Sequence, residues 1–437
     1  MAGGLGTRMR SQTPKHLHPL LGRRMVDWVV DAARRVDAGP IVVVASPATA
    51  DAMRADGIRI AVQHEARGTG DAVAAARTAL SDFGGDVLVL SGDSPLLTPE
   101  LLDDLVSAHR ESGAAATVLS FEPDIPLPYG RVVRGDDGRV AAIVEDGDAS
   151  EDQRAIAELN SSTYVFTAEA LWHALGGLSP DNVQGELYLT DTVRALVDQG
   201  ELVDTFKAGD PRAPVGINTR VELASAAAVL RERINEGHML AGATIVDPAS
   251  TWIEPDVELE PDAVVHPFTV LRGATRVGAG AEVGPHVVAV DAQIGERALV
   301  GPFCYLRPGT VLHAGAKAGT FVEIKNSTVG EGTKVPHLSY IGDAEIGDGT
   351  NLGAGAITVN FPHQPGREKG RTKIGRNVRT GVQNAFVAPV EIGDDAWIAV
   401  GSVVTEDVPP GSLAGFAPRQ VTKEGYVYDK YGEQTDD

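Results

Sequence analysis

The most constraining feature of this sequence is a six-residue period that takes over in its second half. Aliphatic residues recur at Ile253, Leu259, Val265, Leu271, Val277 and Val283. Small or β-branched residues follow four places on, at Val257, Ala263, Thr269, Thr275, Ala281 and Val287. A second frame runs through Ile294, Val300, Leu306, Leu312, Ala318 and Ile324. It shifts at Val329, Val335 and Ile341, shifts again at Ile346 and Leu352, and ends on Ile374, Thr380, Phe386, Ile392, Ile398 and Val404. Neither the helical period of about 3.6 residues nor the strand period of about two generates such spacing. A triangular coil does: each side takes six residues, the aliphatic one points inward, and Gly, Asp or Asn turns the corner. Stacked coils then bury one continuous core. The second half, over 239–420, is therefore expected to be a left-handed parallel β-helix. The phase slips are expected to mark insertions. The longest, NFPHQPGREKGRT from Asn360 to Thr372, is a polar loop of the kind on which such folds carry function.

The front portion reads differently. Pro40 to Ala45 (PIVVVA) and Asp86 to Leu90 (DVLVL) are short β-branched runs, and a helical pattern from Pro99 to Glu111 follows the second. That alternation predicts βαβ units and a mainly parallel sheet over 1–218. Val221 to Ile234 (VELASAAAVLRERI) predicts a linker helix within 219–238, ended by Gly237, and 421–437 remains as a tail. A chain of 437 residues is too long for one core, so two domains are expected. Aromatic residues make up only 5% and glycines number 50, which suits a tightly coiled interior. A net charge of −22 argues against duplex nucleic acid or an anionic membrane as partner, while leaving nucleotides open. No apolar run reaches the roughly 20 residues of a membrane span. A single cysteine, Cys304, excludes an internal disulfide, and a soluble cytoplasmic protein is the expectation.

The chain opens MAGGLGTRMRSQTPKHLHPLLG. Gly3, Gly4 and Gly6 permit close backbone approach to a phosphate, and Arg8 and Lys15 bring positive charge a few residues on. The string resembles the G-x-G-T-R-M…P-K signature of sugar-nucleotide pyrophosphorylases. Further pieces arrive in the same order: Gln63 with Arg67-Gly68-Thr69-Gly70, Ser91-Gly92-Asp93, Tyr129-Gly130-Arg131, Ile143-Val144-Glu145, Leu159-Asn160, Gly185-Glu186-Leu187-Tyr188 with Leu189-Thr190-Asp191, and Gly216-Ile217-Asn218. The resemblance implies a Rossmann-like uridylyltransferase domain acting on UTP and a sugar 1-phosphate. It implies Mg²⁺ held by Asp93 and Asn218, and Arg8 and Lys15 neutralising the phosphates. Gln63, Gly68 and Thr69, with Gly4, would hold the nucleotide, and Gly130, Glu145, Asn160 and Asn218 the acetamido sugar side.

The stretch KVPHLSYIGDAEIGDGTNLGAG, Lys334 to Gly355, carries the second resemblance. It is similar to the H-L-x-Y-x-G-D-x-x-I-G-x-x-x-N-x-G-A-G motif of bifunctional uridylyltransferase/acetyltransferases, which place the same two domains in the same order. Acetyl transfer to an amine needs a base of near-neutral pKa, for which a histidine is suited. The resemblance makes His337 that base. It gives the glucosamine 1-phosphate site to Arg307, Lys325, Tyr340 and Asn351, with Glu323 beside them. Acetyl-CoA would meet Ala354, Asn360, Phe361, Lys369, Val382, Val400 and Ala417. A homotrimer is implied, with sites between subunits, and a product that serves peptidoglycan synthesis.

Several positions depart from the family pattern. Ser91 and Phe361 stand where Tyr is usual, Val382 where Ser is usual, Val400 where Ala is usual, and Ala417 replaces a basic residue, with Arg419 close by. These keep open a monofunctional nucleotidyltransferase whose coil only oligomerises it, and a non-catalytic trimeric assembly. The family also places an apolar strand before the glycine loop, and Met1 occupies its last position. The sheet is therefore expected to lack its first strand, either because translation starts further upstream in frame or because the chain has been shortened.

Overall fold

The structure, a computed structural model, describes the chain except residues 5, 363–365, 367, 416–419 and 432–437. It divides into two compact units, Met1–Leu230 and Arg231–Asp437.

In the first unit, helix α1 (Met25–Arg35) buries Met25, Val26, Val29, Val30, Ala32 and Ala33 along one face. Strands β1 (Ile41–Ala45) and β2 (Ile58–Val62) pair in parallel. Helix α2 (Thr69–Ala75), strand β3 (Asp86–Val89) and helix α3 (Pro99–Ser112) follow. Helix α3 starts where Thr98 accepts a hydrogen bond from Leu101 N at 3.2 Å and Pro99 fixes the first turn. It ends on left-handed Gly113. Strands β4 (Ala116–Phe121), β5 (Arg131–Arg134), β6 (Val140–Val144), β7 (Leu159–Thr167) and β8 (Val203–Lys207), with helices α4 (Ala168–Leu175) and α5 (Asp191–Asp198), complete the unit. The sheet runs β8–β4–β7–β5–β6, and β3 joins β7. Strands β3, β4, β5 and β8 all run antiparallel to β7 or parallel to a strand that does, so most of the sheet points one way.

The expected gap in the sheet is present. Among the described residues no strand precedes Pro19. Met1 and Ala2 alone bridge β1 and β3: Ala2 N donates to Val44 O at 2.7 Å, the Met1 amine to Leu90 O at 2.8 Å, and Gly92 N to Met1 O at 2.8 Å. Beside them lies an apolar cavity of about 190 Å³, lined on both faces of the sheet by residues such as Val26, Val42, Leu88, Val73 and Trp172.

Helix α6 spans Arg220–Leu240, continuing through Gly237 rather than ending there. A helix-interior glycine costs only about 1 kcal/mol, which flanking contacts outweigh. In the second unit short parallel strands stack into three sheets of six, nine and eight members, with three more at the far end: a left-handed parallel β-helix. Trp252 sits beside Val270 and Ile253 beside Leu271, one coil apart. The interior is a single column holding Ile253, Val265, Leu271, Val300, Leu306, Ile324, Ile341 and Phe386. Four places after Leu306, buried Thr310 is accommodated because its Oγ1 donates to Arg307 O at 2.7 Å.

The phase slips have a different cause from the one expected. Where Ile324 is followed by Val329 and Ile341 by Ile346, the corner is one residue shorter, not longer. Left-handed Asn326 (φ 45°) and Asp343 (φ 51°) close these corners, as Asp291 (φ 46°) does earlier. Asn and Asp accept that conformation at low cost, so they make the tighter turn possible. The one true insertion is Asn360 to Thr372: Ala344 pairs with Thr372, and Ile357 with Ala385, across the loop that leaves the coil between them.

Candidate active sites

In the first unit the polar side chains meet at the carboxyl end of β3. The Lys15 ammonium forms an ion pair with Asp93 Oδ2 and donates to Asn218 Oδ1 at 3.0 Å, and Arg8 donates to the same Asn218 oxygen at 2.9 Å. Ser91, where the family pattern has Tyr, donates to Asp93 Oδ1 at 2.6 Å. Burial alone would raise the Asp93 pKa, but the Lys15 charge and the bonds from Lys15 and Ser91 hold it below the ordinary carboxylate value. Gly216 packs closely beside it: a Cβ there would lie 3.1 Å from Asp93 Oδ1, so the carboxylate would have to shift slightly to admit one. The residue sequence reasoning overlooked is His16. Buried at 4% exposure next to Gly4 and Gly92, it has its pKa pushed down to about 4 by desolvation. A polar residue inside the glycine-loop string was the available signal.

A second cluster surrounds Gln63, whose Nε2 donates to Gly68 O and to Asp71 Oδ2, each at 3.0 Å. Gly68 has φ 113°, and a Cβ there would sit 2.4 Å from Leu187 O. Thr69 Oγ1 accepts from Leu189 N at 3.0 Å, so both residues pin α2 to the segment before α5. The third cluster holds Glu145, which accepts from Thr190 Oγ1 at 3.0 Å and whose pKa burial raises. Asn160 donates to Tyr164 at 2.8 Å and its backbone N–H to Gly130 O at 2.8 Å. Tyr129 closes the floor by accepting from Gly216 N at 2.9 Å.

In the second unit, His337 ends the strand Lys334–His337 and is exposed. Its carbonyl accepts from Ser339 Oγ at 2.7 Å and Gly355 N at 3.2 Å, which fixes the backbone and leaves the imidazole at the surface. Around the corner, on the next side of the coil, Glu323 stands beside Tyr340 and Lys325 beside Gly342. Arg307 pairs with Glu323 at 2.9 Å. Lys369, from the inserted loop, lies near Lys325, and its proximity depresses the Lys325 pKa. Asn351 is not with them. It sits between Lys334 and Arg379 on the side that precedes the corner.

The corner itself collects another set. Gly355 N bonds His337 O, Gln383 N bonds Ala354 O at 2.7 Å, and Gly401 N bonds Val382 O at 2.8 Å. Ala354, Val382 and Val400 thus continue the column that His337 begins. Asn360 is buried, while Phe361 is 69% exposed. Ala417 and Arg419 lie outside the described residues. Sequence reasoning gave no role to Asp343, although its place at a phase slip marked it.

A family profile described as the MobA-like NTP transferase domain matches residues 1–162. Full-length likenesses extend through both units. The chain is 47% identical over 456 residues to the bifunctional protein GlmU of Mycolicibacterium vanbaalenii, covering 98% of this chain and 92% of that protein. It is 48% identical to the bifunctional protein GlmU of Streptomyces coelicolor, with 98% and 93% covered. Against that of Brevibacillus brevis it is 44% identical, with 98% and 96% covered.

Proposed function

The chain belongs to the GlmU family of bifunctional proteins, and on that footing we propose that it is a transferase making UDP-N-acetylglucosamine in two steps. The likeness along both units carries this reading, since each unit presents its own converging polar site. In the coil, the amine of glucosamine 1-phosphate attacks the thioester carbonyl of acetyl-CoA. His337 takes the proton released as the carbon–nitrogen bond forms, and coenzyme A leaves as its thiol. Arg307 and Lys325 hold the sugar phosphate, while Tyr340 and Asn351 orient the amine or steady the oxyanion. The column of Ala354, Val382 and Val400 forms the wall along which acetyl-CoA lies, with Asn360, Phe361 and Ala417 contributing.

In the front unit a phosphate oxygen of N-acetylglucosamine 1-phosphate attacks the α-phosphorus of UTP, and pyrophosphate departs. Arg8 and Lys15 lower the repulsion between the two anions. Gln63, Gly68 and Thr69 position the nucleotide with Gly4, and Gly130, Glu145 and Asn160 receive the acetamido sugar. Asp93 and Asn218 fit a divalent cation: one carboxylate and one amide oxygen converge on a single point, now marked by the Lys15 ammonium. Mg²⁺, which keeps water and phosphate oxygens in its shell, suits so small a donor set. When bound it would neutralise charge on the triphosphate.

The coil site favours a homotrimer, because Asn351 and the Arg307–Lys325 group lie on different sides of one chain and a neighbouring coil would complete each pocket. No helix among the described residues is long and apolar enough to cross a membrane, and a cytoplasmic location completes the proposal. Two assays test it. Free thiol should appear from acetyl-CoA with glucosamine 1-phosphate, and pyrophosphate from UTP with N-acetylglucosamine 1-phosphate. The replacements Phe361, Val382 and Val400 favour a second reading, a nucleotidyltransferase with a structural coil. Pyrophosphate release without any thiol release would select it. Absence of both would sink the two readings together.

A further inference from the structure

Asp343 has no assigned part in either reaction, yet more of the coil site hangs on it than on any other side chain nearby. It turns a shortened corner in left-handed conformation and is 9% exposed. Both carboxylate oxygens are taken by amides from the coils on either side: Oδ1 by Asn326 Nδ2 at 2.6 Å and Oδ2 by Asn360 Nδ2 at 2.5 Å. Its backbone is tied as well, its N–H to Lys325 O at 3.0 Å and its carbonyl to Thr372 N at 3.2 Å. Asn360 and Thr372 are the two ends of the inserted loop, and Gly370 N bonds Asn360 O at 3.1 Å to close its mouth. Lys369 precedes that closure. Its charge thereby comes near that of Lys325, with the Asp343 carboxylate close to both.

We propose that Asp343 is a positioning residue for acetyl transfer, clamping both ends of the inserted loop so that Lys369, assigned to acetyl-CoA on the sequence resemblance, instead converges with Lys325 on the phosphate of the amino sugar. This rests on the acetyltransferase reading of the coil. Two ammonium groups brought together repel each other, so the loop needs an anchor that does not depend on substrate. A buried carboxylate with two charge-assisted hydrogen bonds supplies it. The Asn360 amide it orients also borders the Tyr340 hydroxyl: a Cβ on Gly342 would meet Tyr340 Oη at 2.4 Å and Asn360 Nδ2 at 2.7 Å. Asp343 thus orients an amide beside Tyr340 without touching substrate.

Asp343→Asn tests this, because the new side chain keeps a single accepting oxygen and can no longer receive both the Asn326 and the Asn360 amides. The expected result is a KM for glucosamine 1-phosphate raised about tenfold or more with kcat changed far less. Faster tryptic cleavage at Lys369 or Arg371, and unchanged pyrophosphate release by the front unit, should accompany it. The double variant D343N/N360D restores a donor–acceptor pair in exchanged positions and should recover most of the KM and the protease resistance. An unaltered KM and an unaltered cleavage rate in Asp343→Asn would overturn the proposal, as would a double variant no better than the single. If the wild-type protein releases no thiol, the acetyltransferase reading has failed. The cleavage rates of the single and double variants then still decide whether Asp343 clamps the loop.

Discussion

Gly68 gives the sharpest quantitative test of the front site. In Gly68→Ala the backbone must keep φ 113°, a conformation that costs an L-residue about 1–3 kcal/mol. The added Cβ would also lie 2.4 Å from Leu187 O and 2.8 Å from Leu187 N, which are backbone atoms with little freedom to move. Those atoms bond Gly70 N at 2.8 Å and Arg67 O at 2.7 Å, and shifting them weakens two hydrogen bonds of about 1 kcal/mol each. The sum is about 3–5 kcal/mol, or roughly 10 °C in the melting temperature of a unit this size. Gly200 isolates the strain term: its φ is 84° but a Cβ there meets nothing within 4 Å. Gly200→Ala should lose only about 1–2 kcal/mol. Since Gly68 O anchors Gln63, the Gly68 variant should also raise the KM for UTP while the Gly200 variant leaves it unchanged. Differential scanning calorimetry and a pyrophosphate-release assay read both effects. Equal melting shifts in the two variants, with an unmoved UTP KM, would refute the reasoning.

His337→Ala should abolish thiol release by about 100-fold or more while pyrophosphate release persists, and parallel loss of both would contradict the separation of sites. Lys15→Ala frees Asp93 and Asn218 from their shared cation; pyrophosphate release should fall at least about tenfold, with the coil reaction as the internal control. The buried imidazole of His16 sets a pH dependence. Its folded pKa, about 4, lies below the ordinary 6.5, so the unfolded chain binds the extra proton as pH falls below 6.5 and stability is lost down to about pH 4. Near pH 5 the loss is about 2 kcal/mol, and His16→Val should flatten the urea-unfolding profile between pH 7 and 5. In the coil, Ile324→Ala removes a fully buried side chain and should cost about 2–5 kcal/mol, measured as a lowered second melting transition.

Much of this was legible along the chain. Ile253, Val265, Leu271 and their successors could be placed inside a coil from spacing alone, because each side repeats the same inward position and the repeat needs no distant partner. The glycine string and the Lys334–Gly355 stretch likewise carry several of the proposed site residues. Others escaped. Asp343 and Asn326 looked like the edges of insertions, because a missing residue and an added one both break a period. Their φ values decide between the two, and φ depends on the coil above and below. His16 drew no reading inside the glycine-loop string, because its burial against Gly92 follows from how β3 ends.

The sequence by itself determined the β-helix, the βαβ front and the chemical types available to each site, since periodicity and turn chemistry are properties of neighbouring residues. Only the tertiary structure decided where those types meet. Lys15 reaches Asp93 and Asn218 across 78 and 203 residues because the sheet brings their loops to one edge. Asn351 is kept away from Lys325 because a corner of the coil intervenes. Convergence and separation of this kind are fixed by strand register and corner geometry, which arise from packing between segments far apart in the chain.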